Sequence, residues 1–319
     1  MTPEPVAVRL VLVAYNSGDL LAQCITSARA SSARALEVVV VDNGSDDGAP
    51  EHAEAALGAR LVRSGANVGY GAAANLGAAG ATTPWLLVAN PDVVFHAGAV
   101  DALLATAARW PRAAAVGPLI LTDTGLLYPS ARELPSLVRG AMHAGLGWWW
   151  PANRWTAAYR REREDPSEGT TGWLSGSVML LRREAFDSVQ GFDPGYFMYF
   201  EDLDLCERLT AAGWLCVYAP DGVVTHIGAH STSQESTAMA AAHHASAYRY
   251  LAGRYRGPVN APLRGGLRLG LGARYQLSRL SPKVSAGAQP TRAASQRVET
   301  SRSAAPVRPQ GGDAGPSGG

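Results

Sequence analysis

The sequence predicts an α/β protein with a mostly parallel central sheet flanked by helices, and three observations predict it. Val6 to Tyr15 is an almost continuous apolar run, the pattern of a strand covered on both faces. Two similar runs, Glu37 to Val41 and Trp85 to Ala89, follow with helical stretches between, and each ends in polar turn residues. The composition, 47% hydrophobic and 17% charged over 319 residues, is that of a globular chain long enough to bury a full core.

After the first strand, Asn16-Ser17-Gly18-Asp19 supplies turn and N-cap chemistry for an amphipathic helix through about Ala30. The second strand ends in Asp42-Asn43-Gly44-Ser45-Asp46 and completes a β-α-β unit. Ligands of open parallel sheets bind beyond the carboxyl ends of the strands, where Asn16, Asp42 and Asp46 all fall. Asp42 can accept from the N–H of a pyrimidine ring, close an Asx turn, or do both. Leu61-Val62 is a short third strand, followed by Asn67-Val68-Gly69-Tyr70-Gly71 and a small-residue helix through Ala79. Gly69 and Gly71 let backbone approach a ligand closely, but this is not the dinucleotide fingerprint, which belongs after a first strand. The fourth strand runs into Asn90-Pro91-Asp92. A carboxylate there is placed to ligate a divalent ion bridging a diphosphate; the alternative is an ordinary turn.

Ala99 to Trp110 reads as a helix and Ala113 to Leu121 as a strand. Tyr128 to Glu168 then breaks the rhythm with Pro129, Pro135 and Pro151 and the run Trp148-Trp149-Trp150. Such an aromatic run marks a partner, lipid or sugar surface, or anchors a long loop.

The densest chemistry lies between Trp173 and Leu209. Trp173-Leu174-Ser175-Gly176-Ser177 leads into an apolar strand ending near Leu181, and a helix then starts at Phe200-Glu201-Asp202-Leu203-Asp204. Acidic residues suit the first turn of a helix. Three of them beside Phe197-Met198-Tyr199-Phe200, however, repel one another in an apolar setting, so at least one should have a raised pKa, as suits a general base. Trp214 to Tyr218 is a late strand, and the glycine-containing loop after it carries His226 and His230, candidate ligands for a metal at Asp92. Ala238 to Tyr255 reads as a helix in which His243 and His244 are packing or surface residues.

Cys24, Cys206 and Cys216 are odd in number and lack metal-ligand spacing, which makes them buried small hydrophobes. The net charge of +1 conceals an asymmetry: from Arg254 onward eleven basic residues face two acidic ones. A basic tail on an acidic body suggests an anionic surface as partner. Beyond about Ser281 the chain is rich in Ser, Ala, Gly, Pro and Arg and is predicted to be disordered. No apolar run approaches the ~18 residues of a transmembrane helix. The N-terminus enters a strand without a basic region or cleavage site, so the catalytic part is expected in the cytoplasm.

Together, Tyr15-Asn16, Asp42 to Asp46, Asn67 to Gly71, Asn90-Pro91-Asp92, Glu201 to Asp204 and His226 resemble the motifs of family 2 glycosyltransferases of the GT-A fold, over about residues 6 to 250. Ala89 to Asp92, Trp110 to Ala113, Tyr128 to Arg132, Pro135-Ser136-Leu137, Trp173 to Ser177 and Tyr196 to Tyr199 further resemble actinobacterial rhamnosyltransferases, which move L-rhamnose from dTDP-rhamnose onto decaprenyl-diphosphate-linked N-acetylglucosamine of the cell-wall arabinogalactan linker. The resemblance implies a nucleotide-sugar-binding half (1–125) and an acceptor-binding and catalytic half (126–253), which charge and composition extend by a basic segment (254–280) and a disordered basic tail (281–319). Tyr15, Asn16, Asp42, Asn67, Gly69, Tyr70, Gly71, Asn90 and Asp92 would line the donor, and Asp92 with His226 would hold Mg²⁺ or Mn²⁺. Asp202 would be the inverting base, and Trp173, Glu201 and Asp204 would meet the acceptor. The implied partners are a nucleotide-sugar donor, a polyprenyl-diphosphate-linked acceptor and the anionic inner face of the cell membrane, with no nucleic acid.

One departure stands out: Asn90 occupies the place of the first of two carboxylates in the familiar metal motif, leaving a weaker site for a hard cation. Rival readings fit less well. A sugar-nucleotide pyrophosphorylase wants a basic glycine-rich loop after the first strand, which Tyr15-Asn16-Ser17 lacks. A processive synthase wants membrane-spanning helices. The intact acidic cluster argues against a non-catalytic membrane-surface protein on the same fold. A different donor sugar is left open.

Overall fold

The computed structural model describes residues 8–134, 167–228 and 237–280; the tryptophan run, His230 and the tail from Ser281 lie outside them. The first half alternates β1 (Val8–Ala14), α1 (Asp19–Ala30), β2 (Leu36–Asp42), α2 (Ala49–Leu57), β3 (Arg60–Arg63), α3 (Tyr70–Ala78) and β4 (Trp85–Ala89). Next come β5 (Val93–Phe95), α4 (Ala99–Arg109), β6 (Ala113–Thr122) and the short strands β7 (Leu127–Tyr128), β8 (Ala131–Arg132), β9 (Gly169–Thr171) and β10 (Trp173–Leu174). The chain continues through β11 (Val178–Arg182), α5 (Arg183–Ser188), α6 (Glu201–Ala211), β12 (Leu215–His226), α7 (Thr237–Arg254) and α8 (Ala261–Leu280).

One sheet carries the order β3-β2-β1-β4-β11-β6-β12-β5, with β7 on β6 and β9 on β12. Pairing is parallel from β3 through β4 and between β6 and β12, while β11 runs antiparallel between β4 and β6. All seven residues of β1 are buried, as its apolar run requires. Strand order reverses at β1, so a crevice forms where its carboxyl end meets those of β2 and β4, the switch point at which open sheets take ligands. Leu21, Cys24, Ile25, Ala53 and Leu103 of α1, α2 and α4 pack on one face. Ala73, Ala74, Phe186, Leu205 and Leu209 of α3, α5 and α6 cover the other. The three cysteines are free and buried.

Two local features depart from the sequence reading. Arg9 sits inside the apolar β1 and is 3% exposed. Its guanidinium meets the Glu37 carboxylate at 2.8 and 2.9 Å and donates to the carbonyls of Gly77, Ala79 and Gly80, so it satisfies carbonyls that the end of α3 leaves without helical partners. The late strand is also much longer than Trp214 to Tyr218. β12 runs on to His226 because a register irregularity between Ala219 and Val223 absorbs Pro220, which in the sequence looks like a strand end. His226 is therefore the last residue of a strand, paired with Val93 of β5, and not a loop residue.

Candidate active site

The loops after β1 and β2 are tied to each other at the donor edge. Asn16, with φ 49°, does not cap α1; its Oδ1 accepts the Asp46 N–H at 2.9 Å, and its own N–H donates to Ser45 Oγ. Gly18 N–H donates to Asp47 Oδ2 at 2.7 Å. Asp42 closes its Asx turn, Oδ1 accepting from Gly44 and Ser45, while Oδ2 lies 4.0 Å from Arg63. Tyr15 is exposed beside it. The next loop is held by Asn43: its Nδ2 donates to Asn67 Oδ1 and its Oδ1 accepts the Val68 N–H.

Gly69 and Gly71 serve close approach, and the approaching group in the structure is the protein itself. A Cβ on Gly69 would overlap the Phe197 carbonyl, and one on Gly71 would lie 2.9 Å from Phe192 Cβ. Between them the Tyr70 amide donates to Phe197 O at 3.0 Å and its hydroxyl to Gly176 O at 2.7 Å. Burial, with Glu201, Asp202 and Asp92 adding negative charge, pushes the Tyr70 phenol well up, so it stays a neutral donor.

At the end of β4, three side chains converge. His226 Nε2 lies 3.1 Å from Asp92 Oδ1 and 3.3 Å from Asn90 Nδ2. The pairing of β5 with β12 makes this meeting, since it sets Val93 opposite His226. A Cβ on Gly228 would overlap the Asp92 carboxylate, so a glycine here is what leaves that carboxylate its place. Among the described residues no group of three or more His, Cys, Asp or Glu side chains could hold a metal. Asp92 and His226 are brought together as one oxygen and one imidazole donor, and ligands from elsewhere would have to join them for a divalent cation to be held here.

Among the described residues, the acidic helix start carries two adjacent side-chain-bearing residues with positive φ. Tyr199 and Phe200 both have φ 67°, a conformation costing about 1–3 kcal/mol each for residues with side chains. Helix α7 holds them there: Ser246 Oγ donates to Met198 O, His243 packs edge-on against both rings, and Tyr250 lies 5.7 Å from Phe200. Asp202 then points at the turn between β10 and β11, its Oδ2 accepting the Gly176 N–H at 2.8 Å. Burial raises the pKa of Asp202, against backbone N–H donors that lower it. Glu201 is buried too, and its Oε2 has no hydrogen-bond partner. Desolvation and the neighbouring Asp202 push it up to about 8. Asp204 is set apart from this pair, bound to Arg208 at 2.7 Å. Trp173 packs beside Tyr196, Leu203 and Phe200, with the Arg132 guanidinium 5.6 Å from its ring centre.

Several positions here escaped the sequence reading as functional. Asn43, Gly176 and Gly228 all stand inside quoted motifs, but their roles depend on contacts with residues far along the chain. The glycine two residues past His226 is the one local signal available for Gly228.

Comparison with known proteins bears on the family and the fold. Residues 10–190 match Glycosyl transferase family 2. The chain is 50% identical over 280 residues to N-acetylglucosaminyl-diphospho-decaprenol L-rhamnosyltransferase of Mycobacterium tuberculosis, covering 84% of this chain and 91% of that protein. It is 42% identical over 86 residues to Rhamnosyltransferase WbbL of Escherichia coli, 27% of this chain and 33% of that one. The crystal structure of GalNAc-T7 with UDP, GalNAc and Mn²⁺ superposes with a TM-score of 0.51 at 17% identity, over 70% of this chain and 44% of the other, a likeness of fold. With its crevice at the β1 switch point and its acidic helix facing the β10–β11 turn, this chain belongs to glycosyl transferase family 2 and has the GT-A fold.

Proposed function

We propose that the protein is an inverting rhamnosyltransferase, moving L-rhamnose from dTDP-rhamnose to N-acetylglucosamine carried on a polyprenyl diphosphate. The observation that carries the substrate assignment is the 50% identity to the mycobacterial enzyme over nearly all of both chains. The buried carboxylate of Asp202 supports the inverting route. In that route Asp202 takes the proton from the acceptor hydroxyl as its oxygen attacks the anomeric carbon on the face opposite the diphosphate, and the bond to the diphosphate breaks in the same displacement. Glu201, neutral at pH 7 by its raised pKa, offers a hydrogen-bond donor to the acceptor beside the base. Tyr15, Asn16 and Asp42 orient the nucleotide, with Asn67 to Gly71 along the donor. Asp92 and His226 would hold Mg²⁺ or Mn²⁺, which when bound neutralises charge on the departing diphosphate. The 1–125 half would thus serve the donor and the 126–253 half the acceptor.

The acceptor's lipid keeps the protein's work at a membrane surface. No helix among the described residues is long and apolar enough to cross a membrane. Helix α8 offers a peripheral contact instead: Leu269 is 76% exposed on a helix that also carries Arg264 and Arg268, and Val259 in the preceding turn is 89% exposed. Apolar and basic residues together suit the boundary of an anionic leaflet, each basic residue contributing up to about 1 kcal/mol.

Replacing Asp202 by Asn is expected to lower transfer at least about 100-fold while donor affinity changes little, since general-base catalysis contributes 10²–10⁴-fold. Steady-state rates and donor titration check this; a variant keeping a tenth of the rate places the base elsewhere. Asp92→Ala and His226→Ala are each expected to weaken dTDP-rhamnose binding in the presence of Mn²⁺ and to flatten its metal dependence. A wild-type metal titration from either variant removes that residue as a ligand. Leu269→Asp is expected to reduce sedimentation of the full chain with phosphatidylglycerol vesicles, and unchanged sedimentation sinks the α8 contact.

A further inference from the structure

A cavity of about 580 Å³ lies between α6, α7 and the start of α8. It borders the face of α6 that carries Asp204, Glu207 and Arg208, and the buried Tyr196, Leu203 and Tyr250 stand between it and Asp202. Its ligand is therefore a molecule other than the reacting sugars. Five arginines line it against three carboxylates. Each carboxylate is matched to one arginine: Asp204 to Arg208 at 2.7 Å, Asp193 to Arg249 at 2.7 Å, and Glu207 to Arg254. The surplus is Arg256 and Arg264. Arg256 Nε donates to Gly253 O at 2.8 Å, and Arg264 Nη1 to the carbonyls of Tyr255 and Gly257 at 2.9 and 2.7 Å; among the described residues neither meets a carboxylate.

These two arginines flank an exposed apolar turn. Val259, three residues beyond Arg256 and five before Arg264, is 89% exposed, and Leu263 is 40% exposed. Arg264 fixes the turn, because its bonds to the carbonyls of Tyr255 and Gly257 reach back across Pro258–Asn260. From Arg254 to Leu280 the chain carries six arginines and no acidic residue, so no carboxylate of this segment competes for the surplus charge. A guanidinium presents paired N–H groups that match two phosphate oxygens. Phosphate binding beside exposed apolar side chains is the pairing that a phospholipid satisfies, with its headgroup in the interface and its acyl chains just below. A free phosphate ion would answer the arginines alone and leave Val259 and Leu263 in water.

We propose that this cavity takes the phosphate headgroup of an anionic phospholipid, with Arg256 and Arg264 on the phosphate and Val259 entering the boundary between headgroups and acyl chains. Such a site seats the protein on the leaflet through the α7–α8 turn, by a lipid that takes no part in the transfer. This role rests on the membrane-surface contact proposed above and narrows it to one lipid class and two arginines.

The test uses the full chain with Arg256→Gln plus Arg264→Gln, with Val259→Ser, and with Arg29→Gln plus Arg34→Gln, an equal change of charge at two exposed positions at and after the end of α1. Sedimentation is measured with phosphatidylcholine vesicles containing or lacking phosphatidylglycerol. Monomeric dihexanoyl-phosphatidylglycerol and inorganic phosphate are titrated calorimetrically. The Arg256/Arg264 variant is expected to bind the phosphatidylglycerol vesicles and the short-chain lipid at least about tenfold more weakly than wild type. Val259→Ser is expected to lose a few-fold on vesicles, and the Arg29/Arg34 variant less than about twofold. Unchanged vesicle binding by the Arg256/Arg264 variant overturns the proposal. So does an equal loss in the Arg29/Arg34 variant, which reports diffuse charge attraction and no site. Inorganic phosphate bound as tightly as the short-chain lipid, with Val259→Ser unaffected on vesicles, assigns the cavity to a soluble anion and overturns the headgroup. If Leu269→Asp weakens sedimentation and the Arg256/Arg264 variant does not, the α8 contact stands and the headgroup site falls. Transfer to a water-soluble short-chain prenyl-diphosphate N-acetylglucosamine is expected to be unchanged in the Arg256/Arg264 variant, and a tenfold fall contradicts a cavity apart from the reaction. A wild type without transfer ends the proposed function, while the lipid titrations still decide the cavity. Where the double variant does not fold, the single variants carry the same readouts.

Discussion

The backbone of Gly176 and Ser177 ties together the three segments to which the proposed mechanism assigns its chemistry. Gly176 N–H is given to Asp202, Gly176 O is taken by the Tyr70 hydroxyl, and Ser177 O by the Asn90 amide. Asp202, the Gly69–Gly71 loop and the end of β4 are therefore all referenced to one turn between β10 and β11. Each bond is worth only about 0.5–1.5 kcal/mol net. Their value is positional, because a reacting group displaced by an ångström loses much of its rate. A Cβ at 176 would lie 3.2 Å from Asp202 Cβ, close enough that the Asp202 side chain would have to give by a few tenths of an ångström.

That turn also divides the labour between two adjacent carboxylates. Both lie in a low-dielectric setting that disfavours charge. Asp202 receives the Gly176 N–H at 2.8 Å and the Leu203 N–H at 2.8 Å. Glu201 Oε2 receives nothing and feels the Asp202 charge. Burial raises both, but the N–H donors on Asp202 oppose the rise while Glu201 Oε2 has none, so of the two Glu201 is the one held toward its neutral form.

Much of this was legible in the amino-acid order because the strands are written as apolar runs and the chemistry stands where those runs end. Asn16, Asp42 and Asn90 follow directly from that rule, and Asp202 from the crowding of acids beside aromatic rings. What resisted reading depends on partners distant in sequence. Arg9 breaks no local pattern strongly enough to announce that it satisfies the end of α3. Pro220 conceals that β12 continues to His226. Asp204 looks equivalent to its neighbours until the helix turns it onto Arg208, an i, i+4 pair. The glycines at 69 and 71 announce a close approach without saying that Phe197 and Phe192 make it. The arginine-lined cavity assembles from α6, α7 and α8, and no single stretch of sequence contains it.

The central claim is that Glu201, buried beside Asp202 and without a hydrogen-bond partner on Oε2, keeps its proton well above the ordinary carboxylate range. Carbon-detected NMR titration of the side-chain carboxyls, in the wild type and in Asp202→Asn, tests it most directly. The account predicts that Glu201 titrates near 8 in the wild type and lower in Asp202→Asn, where the negative neighbour is gone but burial persists. A Glu201 that titrates in the ordinary carboxylate range, or that is indifferent to the loss of Asp202, would contradict it.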